Sequence, residues 1–346
     1  MTLLRFPHMD PPAEGTATPV ATGVLWMRLP LPMALDHVNV YALDDGDGWT
    51  LVDTGIASDR GVALWQRLLA GPLAGKPVNR VIVTHHHPDH VGMAGWFQAR
   101  GADLLMTRTA WLYARMLVLD EQALPTPGQM AFWRGAGMDA EMLAQRSMAR
   151  PYNFCDAVAP MPPGFTRIAE GDEITAGGRN WVVRLGSGHA PDHATLWSGD
   201  GTLVLGGDQL LPNISANIGV YPTEPGADPL QDWLSSTARL ATFATDDQLV
   251  LPGHKLPFRG LPFRLKQMVV NHENALARLR AHLVVPSTAV QCFLPLFRRD
   301  ITGPEYGLAL AEALAHLNYL LRRGEVVRSL RQDGAWIWRL HSEGEL

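Results

Sequence analysis

The chain has 346 residues, enough for about two domains, and 47% of them are hydrophobic, so a sizeable core can form. Its net charge of −5 argues against a surface built for nucleic acid or anionic lipid. The two cysteines, Cys155 and Cys292, lie outside any Cys-x-x-Cys spacing, so no disulfide framework is expected. We read no signal peptide and no apolar run long enough to span a membrane, which predicts a cytoplasmic protein.

Short apolar runs separated by turn residues, typical of β-strands, begin the ordered part of the chain. They span residues 23–31, 37–43 and 49–55. A helix is predicted over about 58–71, a buried strand over 78–84 and a helix over 91–100. Strand-like runs resume at 181–185, 194–200, 202–208 and 248–254. Strands interleaved with helices in this way predict an α/β layered sandwich.

Two later regions depart from this alternation of strands and helices. Residues 106–160 are rich in methionine and are predicted to be a mostly helical insertion, which either covers the sandwich or forms a substrate lid. After about residue 260, long amphipathic helices precede a hairpin that turns at Asp333-Gly334. We therefore predict a catalytic domain over 1–262 and a small second domain over 263–346.

The segment His85-His86-His87-Pro88-Asp89-His90 directly follows a predicted buried strand. In an extended segment His85 and His87 point to the same side, and His86 points away. Asp89 and His90 follow Pro88, where the chain turns into the next helix, and can face a second ion. Imidazole nitrogens and carboxylate oxygens are the ligands expected for zinc, so this segment predicts half of a two-metal hydrolytic site.

Three more ligand types stand at the ends of other predicted strands: His189, Asp208 and His254. Each follows a glycine, which lets the backbone turn tightly. Because ligands at the carboxyl ends of several strands converge on one crevice, we expect these side chains to complete the site.

The motifs together resemble the metallo-β-lactamase superfamily, with features similar to glyoxalase II. THHHPDH resembles the family's first metal motif, and GSGHAPDH, LGGD, LPGH and LVDTG resemble others in the family's order. The resemblance covers about residues 23–256 and implies an αββα sandwich with two divalent metal ions. Zinc is expected, with iron or manganese as alternatives.

The resemblance also implies a role for each motif residue. The first metal would be held by His85, His87 and His189, and the second by Asp89, His90 and His254, with Asp208 bridging both. Asp53 and His193 would support these ligands from behind. Asp192 stands where many members have glycine; it either orients His193 or caps a turn, and the turn is favoured.

The predicted activity is hydrolysis by a hydroxide bridging two metals, with Asp89 accepting a hydrogen bond from it. A thioester, ester or lactone of a small organic molecule is the leading substrate. A phosphodiesterase or nuclease, and a mononuclear iron sulfur dioxygenase, are the alternatives.

The region 263–346 resembles the winged-helix-like domain of one branch of the superfamily. It carries eleven Lys or Arg against eight Asp or Glu, a weak balance for binding phosphates. We therefore expect no nucleic acid or membrane partner. The domain is instead expected to pack on the catalytic domain or to form a homodimer.

Overall fold

The computed structural model describes residues 3–341. Contacts within the chain group it into two units. The first comprises Met1–Glu121, Tyr152–Ala216 and Ala238–Leu265, and the second comprises Gln122–Pro151, Asn217–Thr237 and Lys266–Leu346. The second unit therefore draws on three separate stretches of sequence. The division between residues 262 and 263 stays a prediction.

A seven-stranded sheet lies in the first unit, with its strands paired in chain order. The strands are β1 (Thr18–Ala21), β2 (Val24–Pro30), β3 (His37–Asp44), β4 (Trp49–Val52), β5 (Val78–Ile82), β6 (Asp103–Met106) and β7 (Thr166–Arg167). β1 to β4 pair antiparallel, and β4 to β7 pair parallel. Because β4 and β5 are parallel neighbours, the residues that follow them emerge at one edge of the sheet.

The second sheet of this unit has five strands in the order β12-β11-β10-β9-β8. Their bounds are β8 (Glu173–Ala176), β9 (Arg179–Gly186), β10 (His193–Ser198), β11 (Leu203–Gly207) and β12 (Leu249–Pro252). β11 and β12 pair parallel, so their carboxyl ends also share an edge. The other pairs are antiparallel.

Four helices connect the strands of the first sheet: α1 (Asp59–Ala70), α2 (Pro88–Val91), α3 (Ala94–Gln98) and α4 (Arg108–Leu119). The predicted helix over 58–71 is confirmed by α1. The Ser58 hydroxyl accepts a hydrogen bond from the Gly61 N–H at 3.0 Å and so satisfies a free donor at the start of α1. Pro88 opens α2, where its missing N–H costs no helical bond.

Alternate faces of the strands pack into three apolar layers. Between the two sheets lie Trp26, Tyr41, Val52, Ile82, Trp181, Val183, Leu205 and Leu251. Under the helices of the first sheet lie Trp65, Leu68, Phe97 and Ala110. On the outer face of the second sheet, Trp197, Val204 and Val250 pack with helical residues Leu240, Leu261 and Leu265. Helices thus cover both sheets, and the αββα sandwich is confirmed.

The second unit is largely helical. Its elements are α5 (Pro127–Gly135), α6 (Ala140–Ser147), α9 (Phe293–Phe297), α10 (Tyr306–Arg322) and strands β13 (Val326–Leu330) and β14 (Trp336–Leu340); α7 (Pro229–Ala241) and α8 (Leu261–His282) have residues in both units. β13 and β14 form the predicted hairpin, with Gly334 at φ 88° in its turn. The winged-helix assignment and the substrate lid stay predictions. No helix within residues 3–341 has the length and apolarity needed to cross a membrane.

Candidate metal centre

The carboxyl ends of parallel strands carry the predicted ligands. β5 ends at Ile82, and the histidine segment begins at His85, after Val83 and Thr84. His87 has an extended backbone, with φ −66° and ψ 147°, and Pro88 then begins α2. This change from extended to helical backbone separates the side chains before Pro88 from those after it. Asp208 follows β11 and His254 follows β12, so the same edge of the second sheet presents both.

Three histidine nitrogens meet on one side of the cluster. His85 Nε2 lies 3.0 Å from His87 Nδ1, which lies 3.0 Å from His189 Nε2. His85 is fully buried, and His87 and His189 are partly buried. The structure thus brings together nitrogens of the three residues that the family resemblance assigned to one metal.

A second group combines carboxylates with imidazoles. The Asp89 carboxylate lies 3.5 Å from His90 Nε2 and 3.3 Å from His254 Nε2. Asp208 lies between this group and the three nitrogens: its Oδ2 is 3.3 Å from His254 Nε2 and 3.4 Å from His189 Nε2. We call all seven side chains the strand-end cluster. Asp208 lies close to a nitrogen of each group, and the assignment of these residues to two metals stays a prediction.

Hydrogen bonds to the Nδ1 atoms fix the orientation of three imidazole rings, those of His85, His90 and His254. His90 Nδ1–H donates to Asp53 Oδ2 at 2.8 Å, and His254 Nδ1–H donates to the His37 carbonyl at 2.7 Å. The Thr84 hydroxyl donates to Asp53 and lies 3.0 Å from His85 Nδ1. With each Nδ1 engaged, the Nε2 atoms of these rings face the centre of the cluster.

Two glycines leave the space that the cluster occupies. A Cβ on Gly253 would lie 2.3 Å from Asp208 Oδ1 and 2.8 Å from His90 Cε1. A Cβ on Gly207, whose φ is +46°, would lie 2.5 Å from His193 Cε1. Any other residue at either position would displace a ligand or its neighbour.

His193, Asp192 and His86 lie beside the cluster. The His193 ring stacks on His85 with centroids 4.6 Å apart, and its Nε2 accepts the Asp208 backbone N–H at 3.1 Å. Asp192 has φ 50°, as a turn residue would, and its carboxylate accepts a hydrogen bond from the Thr109 hydroxyl. The His86 ring points away from the nitrogens and stacks on Phe154.

Burial and neighbouring charges divide the cluster into two electrostatic halves. Burial and the surrounding imidazoles hold the pKa of His85 and His87 well below the usual range, so both rings are neutral and can donate lone pairs. Burial also disfavours charge on His254, but Asp208 and Asp89 outweigh it and raise its pKa to about 10. The group formed by Asp89, His90 and His254 therefore has a more negative electrostatic potential than the group of three histidines.

The donor set fits a divalent metal ion. His90 Nε2 and Asp208 Oδ1 are buried 3.3 Å apart, and neither makes a hydrogen bond to any residue within 3–341. Burying polar atoms without hydrogen-bond partners destabilises the folded protein. Binding a shared cation removes this cost, because the cation interacts with their lone pairs. Nitrogen and carboxylate donors are the ligands of zinc and related ions.

Sequence reasoning missed His37 and Thr84. His37 acts through its backbone carbonyl, which every residue possesses, so its identity gave no signal. Thr84 immediately precedes His85, and its hydroxyl joins Asp53 to that ring. A threonine immediately before a metal motif was the available clue.

Comparison with known families agrees with this geometry. Residues 33–254 match the model of the metallo-β-lactamase superfamily, and residues 276–341 match the metallo-β-lactamase-like C-terminal domain. The first match includes every member of the strand-end cluster.

Individual relatives extend the match over most of the chain. It is 28% identical to the probable metallo-hydrolase YqjP of Bacillus subtilis, over 86% of this chain and 92% of that protein. The crystal structure of a β-lactamase domain protein from Burkholderia ambifaria is 36% identical, with a TM-score of 0.87, covering 98% of this chain and 97% of that one. A metallo-β-lactamase family protein from Thermus thermophilus is 27% identical, with a TM-score of 0.77, covering 93% and 100%. The chain therefore belongs to the metallo-β-lactamase superfamily and is a metallo-hydrolase of that family.

Proposed function

We propose that the protein is a dinuclear hydrolase of thioesters, esters or lactones of small organic molecules. The observation that carries this proposal is the position of Asp208, whose Oδ2 lies within 3.4 Å of a nitrogen in each half of the strand-end cluster. A carboxylate placed in this way supports two adjacent metal sites rather than one.

The residues that would hold the metals are those of the strand-end cluster. His85, His87 and His189 would hold one ion, Asp89, His90 and His254 would hold the other, and Asp208 would contact both. Zinc is the expected ion, with iron or manganese as alternatives. When bound, such ions supply Lewis acidity and lower the pKa of water towards neutrality.

Among the residues of the strand-end cluster, Asp89 is the candidate for binding the attacking water. Its side chain is 20% exposed, against 0% for His90 and 2% for His254, so solvent reaches this carboxylate first. A carboxylate at this position can accept a hydrogen bond from water and orient it towards a substrate carbonyl. Asp89 would therefore position the nucleophile.

Aromatic rings beside the cluster favour an apolar acyl group as substrate. The His86 ring lies 5.3 Å from Tyr113 and 6.2 Å from Phe154, measured between centroids. Tyr152, which is 63% exposed, lies 6.4 Å from Phe154. Exposed aromatic surface suits an organic group, and the net charge of −5 does not favour a polyanion.

The test combines metal analysis with a substrate panel of thioesters, lactones, phosphodiesters and β-lactams. We expect thioester, ester or lactone hydrolysis that needs metal in the strand-end cluster, and its loss in His87→Ala. Asp192→Asn, beside the cluster but bonded to Thr109, is the matched control.

Other outcomes would contradict the proposal. Full activity of metal-free protein would exclude a metal mechanism. Turnover of phosphodiesters alone would favour a phosphodiesterase or nuclease, and oxygen consumption with one iron per chain would favour a sulfur dioxygenase. The small-molecule partner belongs to this proposal, whereas the homodimer and the cytoplasmic location stay predictions.

A further inference from the structure

A second set of ligand-type side chains lies on two helices of the second unit. His272 belongs to α8, and Glu312 and His316 belong to α10. Each offers one nitrogen or oxygen, and these three atoms lie within 4.8 Å of one another. Glu312 and His316 are four residues apart, so they share one face of α10. We call these three residues the helix cluster.

The tautomer of His316 is fixed by its own helix. His316 Nδ1–H donates to the Glu312 backbone carbonyl at 2.8 Å, so Nε2 carries the free lone pair. This Nε2 lies 3.3 Å from His272 Nδ1. That separation is long for a hydrogen bond, but it matches the edge, about 3.3 Å, of a tetrahedron with metal–nitrogen distances of about 2.0–2.1 Å.

The Glu312 carboxyl group has a neutral hydrogen-bond partner. The Glu312 carboxylate accepts a hydrogen bond from Asn217 Nδ2 at 3.0 Å, and within residues 3–341 it forms no ion pair with a lysine or arginine. Two buried imidazoles and one carboxyl group therefore place three possible donor atoms together in a site largely closed to water.

We propose that His272, Glu312 and His316 bind a divalent transition-metal ion, zinc by preference, in addition to the strand-end cluster. Two nitrogens and one carboxylate oxygen are a donor set that zinc accepts, with water completing the tetrahedron. Because His272 and His316 are 5% and 1% exposed, this ion would have little access to a substrate. Its role would be to cross-link α8 and α10.

The first test locates the metal directly. The full chain is crystallised with excess zinc chloride, and anomalous differences are recorded on both sides of the zinc absorption edge. We expect a peak between the three side chains of the helix cluster. Peaks at the strand-end cluster without one at the helix cluster would overturn the proposal and show that the histidines form only a hydrogen-bonded pair.

The second test counts the metal. Metal-depleted protein is reloaded with zinc and dialysed, and its zinc content is measured. Glu312→Gln and His316→Gln should each lose one zinc per chain relative to the native protein while the strand-end zinc remains. His282→Gln removes another histidine of α8, which contacts Ser287 instead, and should lose none.

Equal zinc content in all four proteins would contradict the proposal. If a variant fails to fold, the anomalous map of the native chain still decides the question, because it requires no substitution.

Discussion

The strand-end cluster and the helix cluster use the same kinds of atoms on different frameworks. The strand-end ligands leave the ends of strands through short loops, and Gly207 and Gly253 make room for them. The helix cluster relies on the four-residue spacing of Glu312 and His316 along one helix. Loops at a sheet edge can leave one side of a metal open to substrate, whereas packed helices surround it.

The two clusters also differ in charge. The strand-end cluster includes two carboxylates and has a third, Asp53, behind it, hydrogen-bonded to His90. The helix cluster has a single carboxylate. We therefore expect tighter metal binding at the strand-end cluster, and catalysis there alone. The following substitutions separate the two sites.

The largest effect is expected from Asp208→Ala. It removes the carboxylate shared by the two halves, and metal ions contribute several kcal/mol to transition-state stabilisation, so kcat/KM should fall about 1000-fold or more. Steady-state kinetics and metal content measure the loss. Asp200→Ala, an exposed aspartate after β10, should retain activity; a comparable loss there would point to a general folding defect.

Gly253→Ala should have the next largest effect. The new Cβ would lie 2.3 Å from Asp208 Oδ1, and a ligand displacement of about 1 Å can cost about 100-fold in rate. Gly226→Ala, where no atom lies within 4 Å of the added Cβ, is the matched control. Zinc content at the helix cluster should not change in either variant. Native kinetics in Gly253→Ala would show that the strand-end cluster tolerates displacement.

Asp53→Asn should cause a smaller loss, about 10- to 100-fold in metal affinity or activity. Asparagine also tolerates the φ of 62° at this position, so the backbone can remain in place. The change weakens the acceptor for His90 Nδ1–H and thus the basicity of the ligand. Zinc titration of metal-depleted protein measures it. An unchanged affinity would mean that the negative charge of Asp53 does not contribute to metal binding through His90.

The smallest effect is expected from Glu325→Gln in the second unit. Arg280 donates hydrogen bonds to Glu325 and lowers its pKa below 4.5, with both side chains about one-third exposed. Because the folded pKa is lowered, this stabilisation is present above pH 4.5 and is lost as the pH falls through the folded pKa. We expect a cost below about 1 kcal/mol at pH 7.

Urea unfolding at pH 7 and pH 3 tests this change, and the difference between native protein and variant should shrink at pH 3. A loss of zinc from the helix cluster in Glu325→Gln would show that the ion pair, rather than the three ligands, holds α8 and α10 in place.

Much of the fold and of the strand-end cluster could be predicted because ligand types at strand ends are visible in the sequence. In an extended segment alternate side chains point to the same side, so the sequence alone places His85 and His87 together and His86 opposite them. The carbonyl of His37 could not be predicted, since it lies 217 positions from His254. The helix cluster was missed because Glu312 and His316 are set among apolar residues of α10, and His272 precedes them by about 40 positions.

The assembly of the second unit from three stretches of sequence has a consequence during synthesis on the ribosome. Gln122–Pro151 emerges early, yet its partners in Lys266–Leu346 come last. At about 5–20 residues per second, this early segment waits roughly 10–40 s before its unit can close. Met138 and Leu143 of this segment, which are buried in the folded protein, are until then available to chaperones or to other nascent chains. A slower ribosome would lengthen that interval, so abundant chaperone during expression should raise the yield of folded protein.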